Sequence, residues 1–191
     1  MIHPYPLALR YSSKFSSRSS LNVSTKFEMR CLIALLLTVL IVTPEVEAKT
    51  LPDKFLGTFK LERDENFDEY LKARGYGWLI RQVIELVSVT KKFSKAASGK
   101  PGRYDMENLT TEKDTHHKDW ILGKEFQDEA LDSTQHKITF DLKDPDTLTE
   151  KHIKVDDPTD VETYEYRRDG DYLVMRLSWS GVTAIRYYKK Q

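Results

Sequence analysis

The chain has 191 residues, and its 30 basic and 30 acidic residues give a formal net charge of zero. This balance gives no electrostatic reason to expect nucleic acid or an anionic membrane surface as a partner. The single cysteine, Cys31, excludes an intrachain disulfide, so the folded domain must be stabilised by the packing of its core.

The N-terminal part of the chain has the pattern of a secretory signal. Residues 29–48 contain an apolar run of about a dozen residues, which Lys26 and Arg30 precede and small residues follow. A membrane span would need about 20 apolar residues, so we expect cleavage between Ala48 and Lys49 in preference to a retained anchor. The predicted mature protein, residues 49–191, is a secreted single domain. It has 25 basic and 27 acidic residues, because residues 1–48 hold five basic and three acidic residues.

Residues 1–28 lie unusually far upstream for part of a signal peptide. They are rich in serine and poor in acidic residues, which is typical of an organelle transit peptide. The other interpretation is that Met29 is the true start and that the upstream stretch is not translated. We favour the second, because Met29 begins an ordinary signal peptide without further assumptions.

The first predicted elements of the domain are a strand that runs directly into a helix, within residues 57–74. Phe59 and Leu61 are two residues apart and therefore face one side of a strand. Asn66 stands at the expected N-cap with Glu69 three residues later, which predicts a capping box. The helix then places three apolar residues on one stripe: Phe67, Tyr70 and Leu71.

A second short helix and a series of strands follow. Gly75 and Gly77 interrupt the chain before an apolar helical stripe over residues 79–87, and turn signals then separate short strand-like runs. Two short helices cannot cover the faces of a nine- or ten-stranded sheet, so the strands are expected to curl into a barrel with the helices as a lid. In residues 160–167 aromatic and polar residues share faces, which suits a ligand-filled cavity or an outward polar band.

The segment 57–74 resembles the N-terminal signature of the cytoplasmic fatty-acid-binding proteins, which reads Gly-x-aromatic-x-apolar, four residues, then Asn-Phe-Asp-x-apolar-apolar. The similarity extends over residues 51–190 and is greatest to the secreted roundworm branch of that family. It implies an all-β fold, a ten-stranded up-and-down antiparallel β-barrel of the lipocalin or calycin type with a two-helix lid. It also implies a monomeric, non-covalent carrier of long-chain fatty acids that uses no cofactor. Further matching stretches are Gly75–Trp78, Arg81–Gln82, Leu122–Phe126 and Gly181–Tyr188.

A fatty acid carries a carboxylate that is costly to bury without a cation and hydrogen-bond donors. Arg186 and Tyr188 are spaced by two, share one strand face and offer a permanent charge and a phenolic O–H. On the residues alone, Ile185 and Tyr187 form an equally plausible inward face. The resemblance favours the first pair, because Arg-x-Tyr at this position matches the carboxylate-binding pair of the family.

The family's usual second arginine, two strands before the last, has no obvious counterpart in this chain. An ungapped count places Tyr166 at that position, followed by Arg167 and Arg168. Either the strand register shifts and an arginine such as Arg168 points inward, or Tyr166 replaces the cation. A shift of one residue turns every side chain to the other face, so both alternatives stay open.

Five apolar residues are candidates for contact with the fatty-acid tail or the cavity entrance, and core packing is the alternative role for each. They are Leu79, Ile80, Val83, Phe93 and Trp120.

No catalytic or metal-binding arrangement stands out in the sequence. Adjacent His116 and His117 would point to opposite strand faces, so we predict no metal site and no enzymatic activity. Asn108 begins a glycosylation sequon, which an inward-facing strand position would block. Compared with the family, the chain has extra residues near 96–102 and 144–146, so the alternative function is docking to a membrane or receptor through enlarged loops.

Overall fold

The computed structural model of the protein describes residues 49–191. The proposed segments 1–28 and 29–48, with Ala48 at the cleavage position, lie outside the described residues. After a short 3-10 helix, Asp53–Phe55, the chain forms ten strands and two α-helices. The strands are β1 Gly57–Glu65, β2 Val89–Lys95, β3 Tyr104–Thr110, β4 Thr115–Trp120, β5 Phe126–Glu129, β6 Gln135–Asp144, β7 Thr147–Lys154, β8 Val161–Asp169, β9 Tyr172–Trp179 and β10 Val182–Lys190.

All ten strands belong to one antiparallel sheet in the order β4-β3-β2-β1-β10-β9-β8-β7-β6-β5. Apart from β4 and β5, strands that follow one another in the chain pair with each other, and the pairing of β1 with β10 joins the two halves of the sheet. Hydrogen bonding is interrupted between β4 and β5, so the barrel is nearly closed. The predicted ten-stranded up-and-down barrel is confirmed.

The helices α1, Phe67–Ala73, and α2, Trp78–Leu86, lie between β1 and β2 in the chain, as predicted. The predicted capping box at Asn66 is wrong. Asn66 has a φ of 60° and makes no side-chain cap bond; its Nδ2 instead donates to the carbonyl of Thr183 on β10 at 2.8 Å. An N-cap normally has extended backbone, so the left-handed conformation of Asn66 directs its amide to the barrel instead.

The helix α1 packs inward, whereas α2 leaves much of its apolar surface exposed. Phe67, Tyr70 and Leu71 are buried, as their spacing predicts. Arg81 of α2 binds Asp68 of α1, with 2.6 Å between Nε and Oδ1, and so ties the two helices together. No residue of α2 is fully buried, and its exposed apolar side chains are Trp78, Leu79, Ile80, Val83 and Leu86.

An aromatic core fills the part of the barrel interior away from the helices. Trp120 stacks on Phe140 with 4.3 Å between ring centroids, and Phe93 meets the same ring edge-on at 6.3 Å. All three side chains are almost completely buried. Offset and edge-to-face arrangements of this kind stabilise a core beyond the area that they bury.

The two predicted loop enlargements have different outcomes. Residues 96–103 form an eight-residue connection between β2 and β3. Between β6 and β7 only Pro145 and Asp146 lie outside the strands, so there is no enlarged loop at 144–146. Within residues 49–191, no helix has the length and apolar character needed to cross a membrane.

Candidate ligand-binding cavity

A cavity of about 570 Å³ lies between the helices and the inward faces of the strands. This volume is within the range of small-molecule binding sites. Part of its lining is apolar, including Leu71, Met175 and Leu177. The remainder includes buried polar and charged side chains, so the cavity combines an apolar space with a charged region.

Arg186 and Tyr188 both point into the cavity from β10, while Ile185 and Tyr187 occupy the other strand face. The guanidinium carbon of Arg186 lies 3.9 Å from the ring centroid of Phe67 and 5.9 Å from that of Tyr188. The two polar side chains therefore form one cluster beneath α1.

The hydrogen-bonding capacity of this cluster is incompletely used. Among the described residues, the buried Nε of Arg186 has no hydrogen-bond partner, and it lies 3.9 Å from the nearest Asp64 carboxylate oxygen. The Tyr188 hydroxyl donates to the sulfur of Met175 at 3.8 Å, which is a weak acceptor. Burial raises the pKa of Tyr188, although the Arg186 charge opposes the shift, so the phenol stays protonated as a donor.

Tyr166 occupies the inward position on β8, and neither neighbouring arginine enters the cavity. The Tyr166 hydroxyl donates to Oε2 of Glu150 at 2.5 Å. Arg168 lies on the same strand face, but its guanidinium carbon is 4.8 Å from the Phe59 ring centroid and Nη2 donates to the Gly170 carbonyl at 2.7 Å. Arg167 is on the outward face. Arg168 is therefore held at the strand end, away from Arg186 and Tyr188.

Lys91 is a buried cation that was not among the predicted site residues. It is only 5% exposed, lines the cavity and donates from Nζ to Oδ1 of Asn108 at 2.7 Å. Burial lowers the pKa of Lys91 to about 8; the Glu150 carboxylate opposes this shift and the Arg186 charge adds to it. The alternation of Val89, Lys91 and Phe93 could have revealed it, because the two apolar neighbours mark the inward face of β2.

Glu150 on β7 is the buried anion of the cavity. It accepts the Tyr166 hydroxyl hydrogen bond, and its Oε1 lies 2.8 Å from Nε2 of His152. Burial acts to raise the pKa of Glu150, but the Lys91 charge and the bonds with His152 and Tyr166 lower it to about 2. The carboxylate is therefore ionised and already occupied by protein partners.

The five apolar tail candidates lie in three different environments. Val83 lines the cavity, and Leu79 and Ile80 point to solvent on the outer side of α2, 66% and 51% exposed. Phe93 and Trp120 belong to the aromatic core and do not line the cavity, because their strand positions lie deeper in the barrel than the helices reach.

The glycosylation sequon at Asn108 and the adjacent histidines His116 and His117 can now be placed in the fold. Asn108 is 4% exposed and faces inward, with Nδ2 donating to Thr115 Oγ1 at 3.0 Å, so a glycan on Asn108 is incompatible with the folded barrel. His117 is buried with Nδ1 2.9 Å from Asp128, whereas His116 is exposed on the opposite face. The described part of the chain holds no group of three or more potential ligands for a metal ion.

Comparison with known proteins gives several fatty-acid-binding relatives. A search against protein-family models gave no match. The chain is 87% identical over 163 residues to a fatty acid-binding protein homolog of Ascaris suum, covering 85% of this chain and 100% of the relative. It is 46% identical over 144 residues to fatty acid-binding protein homolog 3 of Caenorhabditis elegans, covering 75% of this chain and 86% of the relative.

Two solved structures share the fold. One is As-p18, an extracellular fatty acid binding protein, with 87% identity, a TM-score of 0.74, and coverage of 75% of this chain and 100% of that one. The other is a Schistosoma mansoni fatty acid binding protein in complex with arachidonic acid, with 26% identity, a TM-score of 0.63, and coverage of 75% and 99%. The resemblance noted in the sequence is thus confirmed, and the chain belongs to the fatty-acid-binding protein family.

Proposed function

We propose that the protein is a secreted carrier that binds one long-chain fatty acid non-covalently in the barrel cavity. Its similarity to an extracellular fatty acid binding protein and to a relative bound to arachidonic acid supports this function. The proposal needs no covalent step and no cofactor. It assigns the carboxylate to Arg186 and Tyr188 and the acyl tail to the apolar part of the cavity.

The observation that carries the proposal is the buried Nε of Arg186, which has no hydrogen-bond partner among residues 49–191 and lies 3.9 Å from the Asp64 carboxylate. Leaving a buried charged donor unsatisfied is costly, and a carboxylate ligand would remove that cost. Among the lysine, arginine, aspartate and glutamate side chains that line the cavity, three are buried: Arg186 and Lys91 are positive, and Glu150 is negative. The ligand that best balances these charges carries one negative charge.

The apolar lining suits the other end of a fatty acid. Leu71, Val83, Met175 and Leu177 line the same cavity as the charged cluster. Each buried methylene group of a ligand contributes about 0.8 kcal/mol of favourable transfer free energy. A long acyl chain can therefore supply most of the binding free energy, while the charged cluster selects the carboxylate.

Displacement of a fluorescent fatty acid from the domain 49–191 tests the proposal. We expect Arg186→Ala to weaken binding by roughly 10- to 100-fold, and Tyr188→Phe by a smaller factor, because charge-assisted hydrogen bonds are stronger than neutral ones. Tyr187→Phe and Arg176→Ala change outward residues on neighbouring positions of β10 and β9 and serve as matched controls.

Each failure would have a distinct meaning. If the unmodified domain binds no fatty acid, the carrier function is wrong. If it binds but Arg186→Ala and Tyr188→Phe bind equally well, the carboxylate lies elsewhere in the cavity.

The secretory part of the proposal has a separate test. Cleavage between Ala48 and Lys49 would leave Lys49 as the first residue, and its side chain already binds Asp141 in the folded domain, with 2.8 Å between Nζ and Oδ1. Mass spectrometry of the native secreted protein should therefore give Lys49 as its N-terminus. Peptides from residues 1–28 would contradict the proposal that translation begins at Met29.

A further inference from the structure

Tyr166 stands where the resemblance to the family leads one to expect a second cavity arginine. Its inward orientation is set by the regular pairing of β8 with β9, in which Tyr166 lies opposite Met175. Arg168 is occupied at the end of β8 and does not line the cavity. The cavity therefore has no arginine on β8, yet it contains a second buried cation that comes from another strand.

We propose that Lys91 on β2 supplies the second cation of the carboxylate site, in place of an arginine on β8. The ammonium group projects across the barrel to the ring of Tyr166, with 5.6 Å between Nζ and the ring centroid. It also lies 5.8 Å from the ring centroid of Tyr188. This inference rests on the proposed function, because it assigns a further residue to the same ligand.

Lys91 and Arg186 lie at similar distances from the phenol ring of Tyr188. The Tyr188 ring centroid is 5.8 Å from Lys91 Nζ and 5.9 Å from Arg186 Cζ. A carboxylate that accepts the Tyr188 hydroxyl hydrogen bond therefore lies within the electrostatic field of both cations. Two cations beside one anion attract it more strongly than either cation alone, particularly where water is excluded.

Two of the three N–H donors of Lys91 are available to a ligand. An ammonium group has three N–H donors, and one of them is directed to Asn108, whose own amide is oriented by Thr115. No carboxylate of the residues 49–191 lies within ion-pair distance of Nζ, and the nearest buried one, Glu150, is occupied by Tyr166 and His152. A ligand carboxylate would fill the remaining positions.

A lysine in this position makes binding dependent on pH, which an arginine would not. The groups that face Lys91 are Asn108 on β3, Glu150 on β7, Tyr166 on β8, and Arg186 and Tyr188 on β10. With a pKa of about 8, Lys91 loses its charge in mildly alkaline solution while Arg186 keeps its own. The affinity for an anionic ligand should then fall as the pH rises.

The first experiment compares Lys91→Met with Lys92→Met in the domain 49–191. Lys92 is the neighbouring residue on β2, faces outward and pairs with Glu107, so it is a matched control. We expect Lys91→Met to weaken binding of a fluorescent fatty acid by roughly 10- to 100-fold. Binding of the uncharged fatty alcohol of the same chain length should change by less than about threefold, because it has no charge to lose.

The second experiment uses the unmodified protein and therefore does not depend on the folding of a variant. The affinity for a long-chain alkyl sulfonate, which stays ionised throughout, is measured from about pH 7 to about pH 10. We expect the affinity to begin to fall above the pKa of Lys91 in the ligand-free protein, about 8, and to stay constant in Lys91→Arg.

The outcomes separate this inference from the proposed function. A flat profile in the unmodified protein, or equal losses for fatty acid and fatty alcohol in Lys91→Met, would show that Lys91 only balances the charge of Glu150. Absence of any fatty-acid binding by the unmodified domain would instead overturn the carrier function itself.

Discussion

Glu150→Gln is the substitution that most directly measures how the barrel stabilises a charge in its interior. Glu150 is 2% exposed and accepts bonds from Tyr166 and His152. Glutamine keeps the size and the acceptor oxygen but removes the negative charge. The variant therefore tests the attraction between this carboxylate and its cationic neighbour, Lys91, with little change in packing.

The expected loss follows from the pKa of Glu150, which folding lowers from 4.5 to about 2. This difference corresponds to about 3 kcal/mol of unfolding free energy at neutral pH. Because the pKa is lowered in the folded state, this stability is fully present above the unfolded pKa of 4.5 and is lost as the pH falls towards 2. We expect Glu150→Gln to lose about 2–3 kcal/mol at neutral pH, since glutamine preserves part of the hydrogen bonding.

Urea denaturation at a series of pH values measures this loss. The difference between the wild-type protein and Glu150→Gln should be largest near pH 7 and should shrink as the pH falls below the ordinary glutamate value. Glu165→Gln is the control, because Glu165 lies on the adjacent strand β8 and binds Lys143 at the surface, with 2.6 Å between Nζ and Oε1. Such exposed pairs contribute little, so its loss should stay below about 1 kcal/mol. Equal stability of Glu150→Gln and wild-type protein at every pH would refute the reasoning.

Three further substitutions test separate features of the molecule. Phe93→Ala should lower the unfolding free energy by about 3–5 kcal/mol. It should leave fatty-acid affinity nearly unchanged, because Phe93 packs in the core and does not line the cavity. An affinity loss as large as that expected for Arg186→Ala would contradict this placement. Asn66→Ala should cost about 1–2 kcal/mol in thermal denaturation, and Asn66→Gly less, because only alanine is strained at a φ of 60°; equal losses would show that strain contributes nothing. Arg74 forms ion pairs of 2.7 Å with Asp160 and 2.8 Å with Glu162, which tie the end of α1 to the barrel. Arg74→Ala removes both, so the rate of fatty-acid release measured by stopped flow should rise roughly several-fold. Unchanged release would mean that α1 does not limit exit.

Local sequence patterns predicted the features that depend only on residues close together in the chain. The stripe of Phe67, Tyr70 and Leu71 is buried as its helical spacing predicts, and the alternation along β10 placed Arg186 and Tyr188 on one face. The capping box at Asn66 failed for the opposite reason. Its amide binds a carbonyl of β10, far away in the sequence, and a local motif contains no information about that partner.

The second cation illustrates the same limit at the candidate site. The family's second cation is expected on the strand two before the last, where this sequence has Tyr166, Arg167 and Arg168. A register shift by one residue would exchange the faces on which these side chains lie. Lys91 is not near this segment in the chain. Three strands, β1, β10 and β9, lie between β2 and β8 in the sheet, so Lys91 and Tyr166 meet only across the interior of the barrel.

By itself, the sequence determined the family and the barrel with its helical pair, because these depend on local periodicity and on a contiguous signature. It also placed Arg186 and Tyr188 on one strand face, and the resemblance to the family, not the periodicity, favoured that face as the inward one. The tertiary structure alone decided which buried groups face one another. Curling of the sheet brings Lys91, Glu150 and Tyr166 from three strands together inside the barrel. It also leaves Arg186 without a hydrogen-bond partner for its buried Nε among residues 49–191. Charge interactions in a water-poor interior depend on these distances through space, which the order of residues along the chain does not specify.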